Sequence, residues 1–333
     1  MRCLGLVPEN RCLSKAWHPG PQRAYPDLMR LVRMLTSALL VGGGVLLGTS
    51  PAAACSQCMC GTPFPSDLLG GVVPMQFAYG VEERYLSKEN ALDEAPGTEK
   101  EREHRIAGFA LWRPLDRVAL LGRLPYNFKE IQAHPQGGSQ TVETSRGIGD
   151  AEFLVLVGLL HQPGSTPVML GLVLGGTAPT GSSHAKNDQG ERLDAHLQPG
   201  SGAWSGTAGL HLAVSAGRGV WDASVLGRTN AENSHGYRYG NSVLYNAGFT
   251  SKAWRGLQLL AQINGRLAAR DRFEDATLGV NTGGTVTYAS PGLRWNTGMG
   301  LALEGALQVP FAQDLYGDQT EHTTGRLTLS MSR

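Results

Sequence analysis

Polar and apolar residues alternate along most of the chain after residue 72, and the alternation is clearest in residues 257–269. Successive side chains of a β-strand point to opposite faces, so this pattern predicts a strand with one apolar and one polar face. The apolar face consists of Leu257, Leu259, Ala261, Ile263, Gly265, Leu267 and Ala269, and the polar face of Gln258, Gln262, Asn264, Arg266 and Arg270.

Twelve segments of this kind are predicted, most of them about as long as a tilted strand needs to be to cross a bilayer. Residues 151–160 are apolar on both faces, and residues 284–295 change phase near Pro291, which predicts a β-bulge there. The predicted segments are 72–86, 104–113, 116–130, 146–161, 166–181, 203–216, 219–230, 237–252, 256–269, 282–295, 299–311 and 323–332.

Short connections and long polar connections alternate between these segments. This alternation is typical of a membrane β-barrel, in which tight turns stay on the side of the termini and long loops lie on the other side. We therefore predict an all-β fold, a transmembrane antiparallel barrel of about 12 strands in the outer membrane of a Gram-negative bacterium. Its short turns and Arg333 would be periplasmic, and residues 182–202 would be extracellular.

Composition narrows the class of protein further. The 333 residues have a formal net charge of +1, which argues against nucleic acid as a partner. After residue 54 there is no stretch of about twenty apolar residues, so no membrane helix is predicted in the mature chain.

The N-terminal region divides into three parts. Residues 29–54 read as a signal peptide with a positive region, an apolar region and small residues at the cleavage site. Residues 1–28 have no periodicity and are interpreted as an upstream extension outside the native protein. Residues 55–71 form a Cys-rich segment, and the barrel takes up residues 72–333.

Cys55, Cys58 and Cys60 cluster directly after the predicted cleavage site. Closely spaced thiolates suit copper(I) or zinc, so a soft-metal site is one interpretation. A disulfide with one free thiol is another, because an exported protein meets an oxidising compartment. Lipidation of Cys55 is the third. No other cofactor is predicted.

Several short motifs occur in an order that resembles a known family. They are Gly147-Ile148-Gly149-Asp150, Ala178-Pro179-Thr180-Gly181, Leu197-Gln198-Pro199-Gly200-Ser201-Gly202, Ser290-Pro291-Gly292-Leu293 and Leu307-Gln308-Val309-Pro310. The chain resembles, over residues 72–333, the outer-membrane transporters named for the meta-cleavage pathway of phenol degradation. The resemblance implies a barrel that passes hydrophobic or aromatic compounds. The ending Met331-Ser332-Arg333 departs from the terminal aromatic that the outer-membrane assembly machinery usually recognises.

Polar side chains on the inward faces are the candidate solute path. At about twelve strands the lumen is narrow enough for side chains largely to fill it, so a selective or plugged lumen is predicted. Residues 55–71 are a candidate plug. The predicted lumen residues are Gln76, Glu82, His211, Asp222, Arg228, Gln258, Gln262, Asn264, Arg266, Glu304 and Gln308.

Two further groups of residues have the types that a catalytic or metal site needs, and each also has a plainer interpretation. His211 with Ser205, Ser215 or Ser224 beside Asp222 has the residue types of a hydrolase, but Gly-x-Ser-x-Gly is absent and lumen-facing polarity is the favoured interpretation. The second is a divalent-cation site in the charged loop, for which a solvated surface is favoured. Its candidate residues are His184, Lys186, Asp188, Glu191, Asp194 and His196.

The sequence thus favours a non-enzymatic barrel that lets small molecules cross the outer membrane passively. Its expected partners are outer-membrane lipid, a small-molecule solute and the assembly machinery. The alternative is a structural or metal-binding protein that uses the barrel as an anchor for the N-terminal cysteine cluster. The tryptophans near predicted strand ends are expected at the headgroup level: Trp112, Trp204, Trp221, Trp254 and Trp295.

Overall fold

The computed structural model describes residues 76–92, 96–162, 167–273, 275 and 277–333. The predicted signal peptide, the cysteine cluster and the candidate plug at 55–71 lie outside these residues. Within them, the chain forms fourteen strands and one short 3-10 helix, η1 (Ala195–Leu197). The strands are β1 (Phe77–Ala91), β2 (Gly97–Leu115), β3 (Val118–Pro135), β4 (Thr141–Ile148), β5 (Ala151–Gln162), β6 (Val168–Ala178), β7 (Ser205–Ala216), β8 (Gly219–Asn230), β9 (Ser242–Ser251), β10 (Leu257–Ala268), β11 (Gly284–Asn296), β12 (Leu301–Leu315), β13 (Gln319–Glu321) and β14 (Thr324–Ser332).

The sheet closes on itself. β1 pairs antiparallel with β2 on one side and with both β13 and β14 on the other. β4 and β5 both pair with β3 and together form one wall strand, and β13 and β14 form another. The result is a closed antiparallel barrel with twelve wall strands, which confirms the predicted fold class and strand number.

Short turns lie at one end of the barrel, which we call the turn end, and long connections lie at the loop end. The turn between β9 and β10 shows why these turns are tight: Arg255 and Gly256 have positive φ angles of 50° and 86°. Trp254 and Leu257 exchange two backbone hydrogen bonds around them. Two consecutive positive φ angles match the twist of paired strands, so a two-residue turn suffices. The chain also ends here, where the Gln76 backbone N–H donates to the Arg333 carbonyl.

The alternation of apolar and polar residues corresponds to the outer and inner faces of the closed wall. In β10, Leu259, Ile263 and Leu267 are exposed, whereas Gln262 and Asn264 are buried inside the barrel. The outer surface is therefore apolar and the interior polar, the reverse of a soluble protein. Among the described residues, no helix is long and apolar enough to cross a membrane.

The predicted bulge near Pro291 is wrong. Pairing of β10 with β11 runs in register through Pro291, and the shift lies between Thr287 and Tyr288, where β12 contributes one extra residue. The apparent change of phase has a different cause. Val286 and Tyr288 face inward and pack with Leu315 near the loop end, so the apolar residues of β11 are on both faces without any break in alternation.

Residues 151–160 are apolar on both faces because the inward side chains Leu154 and Leu156 join a buried cluster with Leu121 and Val173 inside the barrel. The tryptophans of the predicted girdle are all exposed: Trp112, Trp204, Trp221, Trp254 and Trp295. Four of them lie at the turn end, and Trp204 lies at the loop end just before β7.

Candidate functional site

Inward-facing charges form a belt of ion pairs in the half of the lumen nearer the turn end. Arg123 Nη1 lies 2.9 Å from Glu152 Oε2, across the pair β3–β5. Glu304 accepts from two arginines, Arg326 at 2.6 Å and Arg294 at 3.4 Å. Glu82 and Arg84 complete this turn-side belt, with Arg84 Nη2 3.2 Å from Glu82 Oε1. Opposite charges alternate around the wall, so the lumen is polar and nearly neutral at this level.

Polar side chains, most of them uncharged, line the opposite arc of the wall, with Asp222 of β8 among them. His211 of β7 is the cross-strand partner of Ser224 of β8, which in turn pairs with Asn246 of β9. Asn246 pairs with Asn264 of β10, whose side-chain oxygen accepts from Ser290 at 3.0 Å. This row is the inward face of four neighbouring strands and explains why the polar alternation of these strands was so regular.

The structure places the eleven predicted lumen residues in three groups. Arg228 and Gln258 are half-buried, and Gln76 precedes β1 and is exposed at the turn end. The role of these residues in solute passage stays a prediction. Those buried inside the wall are Glu82, His211, Asp222, Gln262, Asn264, Arg266, Glu304 and Gln308.

The long connection between β6 and β7 turns into the barrel, and we call residues 182–203 the plug loop. Leu193 and Leu197 are buried against Ile131, which faces inward from β3. Lys129 Nζ donates to the His196 carbonyl at 2.7 Å, and Ser145 Oγ donates to the Leu197 carbonyl. The interpretation of this segment as a solvated loop is therefore wrong for its second half. Residues 186–192 at its tip remain largely exposed, as do Ser182, His184 and Asp194.

The base of the plug loop is held by one carboxylate. Asp150 Oδ2 accepts from the Ser201 backbone N–H at 2.7 Å and from its hydroxyl at 2.5 Å, and Asp150 Oδ1 accepts from the Gly181 N–H at 3.0 Å. Asn127 Nδ2 adds a hydrogen bond of 2.7 Å to the Pro199 carbonyl. The motifs around Gly149, Gly181 and Gly200 thus meet at one point, where added side chains would collide with backbone.

His196 lies where the plug loop meets the wall at the loop end. Its Nδ1 is 3.4 Å from Glu101 Oε1, and its Nε2 is 3.3 Å from Asp271 Oδ2 and 3.0 Å from the Tyr237 hydroxyl. Burial lowers the pKa of His196, but the hydrogen bonds to Asp271 and Glu101 outweigh it and raise the pKa to about 10. Both ring nitrogens face carboxylates, so the ring is held as the imidazolium.

The space beside His196 is small. Its cavity, bounded also by Lys88, Lys129, Arg266 and Glu321 from the surrounding wall, has a volume of about 40 Å³. That is room for no more than a few water molecules. Arg266 and Tyr288 both bond Glu321 on the far side of this cavity. The plug loop and the wall charges therefore fill the lumen beside His196.

Glu101, Glu103, Lys88 and Lys129 were missed as lumen residues. Residues 98–103 read as part of a polar loop, yet they belong to β2, with Glu101 and Glu103 facing inward and Lys100 and Arg102 on the other face. A strand that continues above the bilayer has no apolar face, which removes the usual signal. The alternation of Glu with Lys or Arg along residues 99–103 was the signal that remained.

The other two candidate sites are the divalent-cation site in the charged loop and the hydrolase site around His211, and the fold separates some of the residues of each. In the charged loop, Asp194 Oδ1 accepts from the His196 N–H at 2.7 Å and caps η1, while His196 turns into the barrel away from Asp188 and Glu191 at the tip. Among the described residues, no group of three or more His, Cys, Asp or Glu has a geometry suited to a metal ion. Ser224 lies opposite His211, but Asp222 accepts from Asn246 Nδ2 at 2.6 Å and pairs in register with Ala213.

Comparison with solved structures supports the fold. The COG4313 outer membrane channel from Pseudomonas putida F1 matches 81% of this chain and 99% of its own length at 14% identity, with a TM-score of 0.61. A Bordetella autotransporter β domain, BrkA, matches 77% of this chain and 100% of its own at 12% identity (TM-score 0.41). A Pseudomonas aeruginosa FadL homologue matches 85% and 99% at 11% identity (TM-score 0.39). No protein-family model and no curated protein matches the chain.

The chain thus has the fold of an outer-membrane β-barrel. The closed wall, the apolar outer surface and the likeness to an outer-membrane channel agree on this point. The closed wall and the apolar outer surface also agree with the predicted location in the outer membrane of a Gram-negative bacterium.

Proposed function

We propose that this barrel is a passive channel for small molecules, in which the plug loop and the charged wall form the selective constriction. The observation that carries the proposal is the polar interior. A barrel that served only as an anchor would have no need for matched charges such as Arg123 with Glu152, or for a loop of its own folded across the lumen. Of the three solved structures above, the one with the highest TM-score is described as an outer membrane channel, which supports the same function.

For the solute we propose small hydrophobic or aromatic compounds, as the resemblance to the transporters of the phenol meta-cleavage pathway implies. An aromatic cluster near the plug loop favours this class. Phe273 is exposed at the loop end, and its ring centroid lies 5.3 Å from that of Tyr237, which is buried against Tyr239 at 4.9 Å. Aromatic rings stack edge to face on one another and equally on an aromatic solute.

Reconstitution of the purified chain tests the proposal. In planar bilayers we expect discrete conductance steps, and in proteoliposomes we expect faster swelling with phenol than with a sugar of similar mass. Empty membranes and protein denatured before reconstitution are the controls. The absence of both conductance and solute-driven swelling would contradict the channel function. Equal swelling rates with phenol and with the sugar would contradict only the aromatic preference.

The alternative function, metal binding by Cys55, Cys58 and Cys60, lies outside the described residues and stays a prediction. So does the proposal that residues 55–71 act as a plug from the turn end. Deleting residues 55–60 tests metal binding and the plug role apart from the channel function. If copper binding is lost while solute flux is unchanged, the channel proposal stands and these cysteines have no plug role.

A further inference from the structure

The plug loop meets the barrel at two places that differ in character. At its base, Asp150 fixes the backbone through Ser201 and Gly181 with three hydrogen bonds. Across the lumen, the loop is held by the ring of His196 and by hydrogen bonds that Lys129, Ser145 and Tyr239 donate to its backbone carbonyls. The tip between them, residues 186–192, is largely exposed and forms its own hairpin through the bridge of Lys186 with Arg192.

His196 is contacted from separate parts of the wall. Glu101 comes from β2, Asp271 from the connection after β10, and Tyr237 from the connection after β8. Tyr237 also donates to Asp271 at 2.5 Å, and Tyr239 donates to the Ala195 carbonyl at 2.8 Å. These contacts join one imidazolium to groups that lie far apart in sequence.

The surrounding charges are arranged so that the contacts of His196 depend on one another. Lys88 of β1 lies 2.9 Å from Glu101, and Lys129 of β3 binds the His196 carbonyl rather than its ring. Without the imidazolium, Glu101 would keep Lys88, but Asp271 would keep only the hydroxyl of Tyr237 and backbone N–H donors such as that of Gly240. A carboxylate buried this completely is costly without its cationic partner, so loss of the imidazolium favours exposure of Asp271 to water.

We propose that His196 is a latch that holds the plug loop across the lumen, and that release of its contacts with Glu101 and Asp271 lets residues 184–198 move aside while Asp150 keeps the base in place. The inference rests on the proposed channel function, because a latch matters only where something passes. The remaining contacts of the loop are the packing of Leu193 and Leu197 against Ile131 and the hydrogen bonds from Lys129, Ser145 and Tyr239 to its carbonyls, and water replaces these hydrogen bonds when the loop moves.

A purely structural role for His196 makes a different prediction. If the imidazolium only stabilised the barrel, its loss would lower the unfolding temperature and leave the closed state of the channel unchanged. A latch changes the fraction of time that the lumen is open in a barrel that remains folded. Gating and unfolding must therefore be measured on the same variants.

The test is single-channel recording of the full chain in planar bilayers, comparing wild type with His196→Gln. We expect the open probability to rise at least about tenfold, which corresponds to about 1.4 kcal/mol in the gating equilibrium. His184→Gln is the matched control, because His184 belongs to the same loop but is exposed near its tip, and it should behave as wild type. Swelling of proteoliposomes with phenol should rise in the same variant.

Asp271→Asn and Glu101→Gln keep the imidazole and remove one carboxylate each, so they decide the matter if His196→Gln does not fold. We expect each to raise the open probability. If wild type conducts and the folded variants conduct with the same open probability, the latch is overturned while the channel stands. If neither wild type nor variants conduct or swell, the channel function itself fails and the latch fails with it.

Discussion

Asp150 and Ser201 are 51 residues apart in sequence and are joined by two hydrogen bonds, from the Ser201 backbone N–H and from its hydroxyl to the same carboxylate oxygen. Asp150 occupies the two-residue break between β4 and β5, where the wall strand is interrupted. An interruption of the wall is thus used to fix the base of a loop that fills the lumen.

Asp150→Ala should free the base of the plug loop. Three hydrogen bonds to a carboxylate are lost, and bonds to charged groups contribute about 1.5–3 kcal/mol each when buried, less here because Asp150 is only partly buried. We expect faster cleavage of residues 182–203 by added protease and noisier conductance, measured on folded barrels. Asp188→Ala, at the exposed tip of the same loop, is the control. Equal protease resistance in both variants would contradict the role of Asp150.

The stability contributed by His196 should depend on pH. Its folded-state pKa is raised to about 10, from an ordinary value near 6.5. Protons are therefore bound more tightly in the folded chain. The contribution is fully present below about pH 6.5 and is lost as the pH rises through about 10. The charged groups around it are Glu101, Asp271, Lys88 and Lys129.

The measurement is the thermal unfolding midpoint from pH 6 to pH 10.5 for wild type and His196→Gln. We expect the gap between the two proteins to be widest at the acid end and to narrow as the pH rises. A gap that stayed constant or widened towards high pH would show that the imidazolium is not what holds the loop.

Glu304→Gln should leave Arg294 and Arg326 without their shared carboxylate. All three side chains are buried in the lumen, and removing one partner of a buried ion pair costs about 3–5 kcal/mol, an upper limit in a lumen that admits water. We expect a lower midpoint of urea unfolding in lipid vesicles and a shift of the reversal potential in a KCl gradient towards chloride. Asp314→Asn, on an exposed position of β12, should change neither.

Ile263→Arg tests the assignment of the outer face. Ile263 is exposed near the middle of β10, and a cation on the lipid-facing side near the bilayer midplane costs about 2–4 kcal/mol. The free energy of folding into lipid vesicles should fall by that amount. Leu278→Arg, an exposed apolar residue in the connection after β10, is the control outside the wall. Similar losses in both variants would argue against a lipid-facing position for Ile263.

The wall of this barrel was predictable because alternation is enforced along every strand by two different solvents, lipid outside and water inside. Residues 257–269 show this alternation most clearly. The plug loop was not predictable in the same way. Its inward half contains Leu193 and Leu197 among charges, and nothing local distinguishes a loop that folds back from one that extends into water. The partners of His196 are Glu101 and Asp271. A single sequence does not show which distant residues form such pairs.

Polar segments inside strands were the other source of error. β2 begins at Gly97 rather than at residue 104, because its first residues form ion pairs such as Lys88 with Glu101 instead of facing lipid. The bulge opposite Thr287 was misplaced for a related reason. Near the loop end the interior accepts Val286 and Tyr288, so polarity no longer reports which face a residue occupies.

The wall strands also differ in length around the circumference. β1, β2 and β3 have 15, 19 and 18 residues, whereas β6 to β10 have 10 to 12. At about 3.3 Å per residue, one side stands roughly 15–20 Å taller than the other. The rim at the loop end is therefore cut obliquely, with β1, β2 and β3 forming its tall side. If the barrel is the channel proposed above, a solute that enters at the loop end would reach the lumen over the short side of the wall, formed by β6 to β10, because β1 to β3 screen the other side.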